Sequence, residues 1–343
     1  MTAGDAVVSV RDLTKRFAVR RTWREMFVAP RGGTETTAVD RITFDVRQGE
    51  IFGLLGQNGA GKTTVFKMLS TLILPNDGSA SVVGHDVVRE PNDVRRALAP
   101  VIANERSLYW RLTAHENVRL FAALQGLSGR AMFDEIARVL RIVSLTDTGE
   151  KLVGAFSSGM RQRLLIARAL IGRPRVLLLD EPTRSLDPIS ARDFRAFLRD
   201  EIVKAEGCTV LLATHDADEV WDLCDRVGVL ERGRLLEVDA TARLRERTGS
   251  NRYRAWVRTD QHTAAAERAR AAGVAVSRTA DATEAGWTEL EFDVAGGADA
   301  ASRVVGALSA NGAAVARFER VAPSLADLIE RVVARSAHGG THA

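Results

Sequence analysis

Eight residues, Gly56-Gln57-Asn58-Gly59-Ala60-Gly61-Lys62-Thr63, carry the spacing of a loop that grips phosphate. Glycines at 56, 59 and 61 let the backbone come close to phosphate oxygens and turn its N–H groups toward them. A helix starting near Lys62 adds its positive end to the same cradle. Lys62 supplies a point charge for β- and γ-phosphates. The Thr63 hydroxyl is placed to ligate Mg2+, and Thr64 follows in the first helical turn.

A second chemical group lies downstream in Val176-Leu177-Leu178-Leu179-Asp180-Glu181. Asp180 closes a hydrophobic strand, so its carboxylate emerges at the strand's C-terminal end, where ligands bind in open α/β sheets. That makes it a direct or outer partner for Mg2+. Seen alone, an acidic pair after a strand is more often a helix cap than a catalytic site. His215, which follows the strand Val210–Ala213 and Thr214, would by itself also read as structural.

These groups need a frame that holds them. Ile51-Phe52-Gly53-Leu54-Leu55 is a compact apolar run that stops at Gly56, and Thr63 to Leu74 has helical periodicity, so the loop joins a strand to a helix as its chemistry requires. Val7–Val10 and Ile42–Val46 alternate as strands do, separated by an insertion from Arg20 to Thr37 with a short helical piece. Residues from about Glu90 to Glu150 read as mainly helical. Strands at Val176–Leu179 and Val210–Ala213 alternate with helices near Arg161–Ile171 and Ser190–Ala205, which argues a largely parallel core sheet. After about Asp239 the composition shifts. From Tyr253 the order is strand (Tyr253–Val257), helix (Thr263–Ala272), strand (Val274–Ser277), strand (Glu289–Val294), helix (Ala298–Leu308), strand (Ala313–Phe318) and helix (Leu325–Ala334). The first six elements follow the β-α-β-β-α-β order of the ferredoxin-like arrangement.

Composition excludes several classes. The net charge of +4, from 48 basic against 44 acidic residues, gives no strong field for nucleic acid. Cys208 and Cys224 lack C-x-x-C spacing or a nearby histidine pair, which argues against a metal site and fits a reducing compartment, with Cys208 as a small core residue. No run approaches the roughly 18 apolar residues that span a bilayer, and the N-terminus lacks the pattern of a signal peptide. A soluble chain is expected, one that reaches a membrane process only through a partner.

Residues 156–163, Phe-Ser-Ser-Gly-Met-Arg-Gln-Arg, narrow the reading further. With the phosphate loop and the Asp180-Glu181 strand, this segment makes the chain resemble the ATP-binding cassette (ABC) ATPases, from about Val8 to about Asp239, with a weaker family-like tail around Pro323–Asp327. The resemblance implies an α/β P-loop ATPase domain over residues 1–240, with a helical subdomain at about 90–165, followed by a small α+β accessory domain over 241–343. It implies Glu181 as the general base that polarises the water attacking the γ-phosphate, and His215 as the switch that orders Glu181. It implies Phe17 as the ring stacked on adenine and Asp187, in Pro182-Thr183-Arg184-Ser185-Leu186-Asp187, at a subunit contact.

In the signature segment Phe156 stands for the family's Leu, Ser158 for its first Gly and Met160 for its Gln. Ser157 and Gly159 are retained, and at a helix N-terminus they can bind a γ-phosphate across a dimer interface. Asn104 stands where the family has a glutamine that contacts Mg2+ and relays nucleotide state to a membrane subunit; the shorter amide calls for a bridging water. The expected protein is the ATP- and Mg2+-binding subunit of an exporter, a homodimer or half of an ATPase pair, held by an integral-membrane permease at the cytoplasmic face of the cell membrane. A soluble ABC ATPase outside transport is the alternative. Such relatives show tandem cassettes, coiled coils or zinc-binding cysteines, and this chain has none of them.

Overall fold

In the computed structural model the described residues are 6–18, 35–102, 108–148, 150–248, 252–271, 274–281, 286–293, 302, 304–308 and 314–321. The expected insertion at 20–37 falls mostly, and the helix at 325–334 wholly, outside them. So does Asn104. The chain divides into two compact units, the change falling between Ala242 and Arg243.

The first unit opens with β1 (Ala6–Ala18), β2 (Glu35–Arg47) and β3 (Ile51–Leu55), then α1 (Lys62–Leu69), β4 (Asp77–Val82), β5 (His85–Asp86), α2 (Pro91–Ala97) and β6 (Leu98–Ile102). It continues with α3 (Ala114–Leu124), α4 (Gly129–Ile142), α5 (Ser158–Leu170), β7 (Val176–Asp180), α6 (Pro188–Phe197), β8 (Thr209–Thr214), α7 (Ala217–Leu223), β9 (Arg226–Glu231) and β10 (Arg234–Ala240). The core sheet runs β10-β9-β3-β8-β7-β6 and is parallel except for β10, which folds back on β9. Every residue of β3 and β8 is buried, as expected of parallel strands covered on both faces. A second, antiparallel sheet runs β2-β1-β4-β5. Its inner residues Val8, Val10, Ile42 and Phe44 share one core with Phe52 and Leu54 of β3, and the Phe44 and Phe52 rings stack at 5.3 Å.

The stretch from Glu90 to Glu150 is not simply helical. Leu98-Ala99-Pro100-Val101-Ile102 is a strand, the outer one of the core sheet, paired with β7 from Leu98↔Val176 to Ile102↔Asp180. Its short apolar run is too brief to show a period, and Pro100, which lacks an N–H, is tolerated there because β6 lies at an edge. The helices α3 to α5 that follow are entered by specific caps. Thr113 and Glu116 form a reciprocal capping box on α3, with N–H to side-chain oxygen distances of 3.2 and 2.8 Å. Asn117, buried in that helix, accepts from the Tyr109 N–H at 2.8 Å and donates to the Tyr109 carbonyl at 3.0 Å, fixing the preceding loop.

Both cysteines are buried thiols without a disulfide, and burial pushes Cys208 up to about 11. Helix α8 (Thr241–Thr248) leads out of β10. The second unit contains β11 (Arg252–Arg258), α9 (His262–Ala271), β12 (Ala275–Asp281), β13 (Trp287–Asp293) and β14 (Val315–Arg320), with residues 304–308 helical. Its antiparallel sheet has the order β12-β13-β11-β14, which puts the first and third strands at the centre as the ferredoxin-like arrangement does. Ala265, Ala269, Val304 and Leu308 from the helical segments close on Ala255, Val257, Leu290 and Phe292 from the sheet.

Candidate functional site

Strands β3, β7 and β8 are neighbours and end together, so the loops leaving them converge. The Gly56 N–H donates to the Thr214 carbonyl at 3.2 Å and the Glu181 N–H to the Ala213 carbonyl at 2.8 Å, tying the three strand ends to one another. Two glycines of the phosphate loop are required by space. A Cβ at Gly56 would stand 2.3 Å from the Leu230 carbonyl oxygen, and one at Gly61 would stand 2.5 Å from that of Ala38. Gly61 also has φ +109°, a conformation that L side chains rarely adopt. It caps α1, and the first residue of that helix is Lys62.

Residues 57–64 line a cavity of about 760 Å3 together with Asp180, Glu181 and Ser158. Lys62 is 5% exposed, and its Nζ donates to the Gly56 carbonyl at 2.6 Å and the Gln57 carbonyl at 3.2 Å. Burial lowers its pKa, and the Glu181 and Asp180 carboxylates oppose that. The ammonium rests on the loop's own oxygens, which phosphate oxygens would replace. The Thr63 hydroxyl donates to Asp180 Oδ2 at 2.9 Å. Burial raises the Asp180 pKa against that hydrogen bond, and the Glu181 carboxylate raises it further. A hydroxyl and a carboxylate oxygen in contact, in a place where negative charge is costly, form a donor set that suits Mg2+.

Glu181 lies 3.7 Å from Lys62 Nζ through Oε1 and 2.6 Å from His215 Nδ1 through Oε2. Its backbone has φ +50°, an uncommon value for a residue with a side chain and a strain of about 1–3 kcal/mol that functional sites tend to store. The turn aims the carboxylate between the lysine and the histidine. Thus Lys62, Thr63, Asp180, Glu181 and His215 form one connected cluster.

Other expected residues lie elsewhere. Ser157 caps α5 by accepting from the Met160 N–H at 3.2 Å, and Gly159 stands beside Ser190 of α6. Neither Ser157 nor Gly159 lines the cavity, whereas Ser158 does. Asp187 caps α6, accepting from the Ile189 and Ser190 N–H groups at 3.1 and 3.0 Å, and the Ser190 bonds hold its carboxyl below the usual range. Phe17 is 43% exposed near the end of β1, with Lys15 Nζ 5.2 Å from its ring centre, and is not a lining residue. It pairs with Thr36, two residues from Ala38 at the cavity wall.

Some residues of the site were given no role from the sequence, although Arg161 and Gln162 lie in the 156–163 segment and Thr183 and Arg184 in the 182–187 segment. Trp110, Arg161, Gln162 and Arg184 line the cavity from distant parts of the chain. Thr183 and Glu219 share a partly buried hydrogen bond of 2.8 Å behind the Glu181–His215 pair. Spacing alone placed them close to known groups, Thr183 two residues past Glu181 and Glu219 four past His215.

A parallel sheet with a glycine-rich phosphate loop, a strand-end acidic pair and a histidine beside it defines a P-loop ATPase architecture of the ATP-binding cassette type. The chain belongs to the ABC transporter ATP-binding protein family: the ABC transporter family model matches residues 39–184, and the daunorubicin/doxorubicin resistance ATP-binding protein DrrA of Streptomyces peucetius is 40% identical over 250 residues, 72% of this chain and 75% of that one. The probable multidrug ABC transporter ATP-binding protein YbhF of Escherichia coli is 37% identical over 235 residues, which is 68% of this chain but only 37% of that protein's length. Among solved structures, CbiO1 of Clostridium perfringens, part of the ABC transporter complex cbiONQ, aligns with a TM-score of 0.60 at 25% identity, over 70% of this chain and 90% of that one. A dimeric ATP-binding cassette bound to ADP and Pi shares the fold, with a TM-score of 0.57 at 23% identity over 68% of this chain and 98% of that one.

Proposed function

We propose that this chain is the ATP-hydrolysing subunit of an ABC exporter. The observation that carries the proposal is the Glu181 carboxylate held between His215 Nδ1 at 2.6 Å and Lys62 Nζ at 3.7 Å, at the edge of the phosphate-loop cavity. Glu181 accepts the proton of the attacking water, and His215 orients Glu181 and bears on the γ-phosphate. Lys62 and the N–H groups of residues 57–64 stabilise phosphate charge. Thr63 and Asp180 would hold Mg2+, which offsets the negative charge of the β- and γ-phosphates. Phe17 packs on the adenine ring.

Ser157 and Gly159, which do not line the cavity of their own chain, complete a second chain's site from α5. Asp187 lies at that same contact. The ATPase is thus a homodimer or half of a pair, with two ATP molecules between phosphate loop and signature segment. Among the described residues no helix is long and apolar enough to cross a membrane. Closure on ATP pushes on a separate permease that holds the chain at the cytoplasmic face, a reading supported by the family and by the likeness to CbiO1, part of the ABC transporter complex cbiONQ. Asn104 relays nucleotide state toward it. DrrA of Streptomyces peucetius is named for daunorubicin/doxorubicin resistance, and BcrA of Bacillus licheniformis, 40% identical over 200 residues, for bacitracin transport. Of the drug, polysaccharide and lipid-like substrates that exporters of this kind carry, those names support a drug. Among the described residues, those that line the cavity all precede Arg243, which supports a role in regulation or dimer support for residues 241–343.

The purified chain should release phosphate from ATP, and Lys62→Ala should fall to background, since it removes the point charge on the β- and γ-phosphates. Equal rates for the two chains in a phosphate-release assay would refute the proposal.

A further inference from the structure

Glu219, on α7, is 1% exposed, and its acid group lies among protein atoms rather than water. Burying a carboxyl is costly, so its partners indicate why it is kept. Oε1 accepts from the Thr183 hydroxyl at 2.8 Å, while Oε2 is buried without a hydrogen-bond partner among the described residues. Burial raises the Glu219 pKa; the hydroxyls of Thr214 and Thr183 lower it, and the carboxylates of Asp216 and Glu181 raise it further. Thr183 lies two residues after Glu181. Thr214 lies one residue before His215, and its hydroxyl accepts from the Asp216 N–H at 3.0 Å, just ahead of the α7 that carries Glu219.

We infer that Glu219 is a positioning residue: through Thr183 it ties the segment leaving Glu181 to the helix behind His215, and so sets the registration of the Glu181–His215 pair. The inference rests on the reading of Glu181 as general base. The physical need is clear from the backbone. Glu181 holds φ +50°, a conformation that persists only when its surroundings over-determine it. The Glu181 N–H bond to Ala213 fixes the near side of the turn, and the Thr183 bond to Glu219 fixes the far side. Loss of the far anchor lets the carboxylate swing from His215, while the Gly56 N–H bond to the Thr214 carbonyl still holds the backbone of the phosphate loop.

The test uses Thr183→Val, which keeps the side-chain shape but removes the donor, with Glu219→Gln, which keeps an acceptor in the same volume, and Glu219→Ala. Thr183→Val and Glu219→Ala should each lower kcat at least about tenfold with little change in the KM for ATP, because misplacement of a reacting group acts on the chemical step. Glu219→Gln should stay within about threefold of the parent. The double variant Thr183→Val/Glu219→Ala should be no slower than the slower single one, since both remove the same contact. An independent readout is the His215 imidazole resonances of the full chain, assigned with His215→Ala. Thr183→Val should move them toward their positions in Glu181→Gln. Unmoved resonances, an unchanged kcat in Thr183→Val, or additive losses in the double variant would each overturn the strut. If the parent chain has no ATPase activity the general-base reading fails, and the imidazole resonances still decide whether Thr183 and Glu219 hold His215 against Glu181.

Discussion

Glu181→Gln is expected to leave ATP binding nearly intact and to cut turnover at least about a hundredfold, because a neutral amide cannot take the proton of the attacking water. The substitution is almost isosteric. Glutamine can still meet His215 at the 2.6 Å contact, so the turn at φ +50° and the strand ends behind it should survive. What changes is the chemistry next to Lys62: the amide neither attracts the ammonium as the carboxylate does nor repels a γ-phosphate, so ATP should be held at least as well as before. Measured as ATP affinity and single-turnover hydrolysis, the variant should separate binding from chemistry. Residual turnover within a few fold of the parent, against Lys62→Ala as blank, would mean that another group is the base.

Gly61→Ala should be as damaging to binding as Glu181→Gln is to chemistry. The added methyl would lie 2.5 Å from the Ala38 carbonyl oxygen, which belongs to a β2 backbone that cannot yield as a flexible side chain does, and φ +109° is strained for any residue with a Cβ. Relief requires the loop to turn its N–H groups away from the phosphates, so ATP affinity should fall at least about a hundredfold, two or more hydrogen bonds to charged groups being lost. Gly49→Ala is the matched control. Its φ of +72° imposes comparable backbone strain, but nothing lies within 4 Å of the added methyl. It should lower thermal stability slightly and leave ATP affinity unchanged. Equal affinities in the two variants would show that the close approach to Ala38 does not shape the phosphate loop.

The chemistry was most legible where contiguous residues carry it. The phosphate loop, the Asp180-Glu181 strand end and the 156–163 segment each fit in eight residues or fewer, because a backbone cradle or a strand terminus is built locally. Continuous apolar runs gave β3, β7 and β8 for the same reason: burial on both faces favours apolar residues along the body of the strand. Strand β6 hid in a helical region since five residues with a proline show no period, and its partner β7 lies more than 70 residues away. β4 (Asp77–Val82) and β9 also went unread. The Gly-Ser-Ala-Ser of β4 has little strand character and is held by its pairing with β1. The Thr183–Glu219 contact joins a loop to helix α7, 36 residues apart, and only their meeting in three dimensions gives a buried glutamate a role. Asp187 was expected at a subunit contact and its capping of α6 went unread, although Asp before Pro188 is a common helix entry.

The central claim is that ATP is gripped by the phosphate loop of one chain and the signature segment of another. A direct measurement is the ATPase rate of a mixture of Lys62→Ala and Ser157→Arg chains. Each homodimer lacks a required half in both of its sites and should be nearly inactive: the first has no ammonium for the phosphates, and the second has a bulky cation in place of the hydroxyl that starts α5. A mixed dimer carries one site with both defects and one with neither. Random exchange of equal amounts should therefore restore roughly a quarter of the parent rate, since half of the dimers are mixed and each has one of two sites intact. A mixture no faster than either variant alone, with exchange verified by differently tagged chains, would contradict the account.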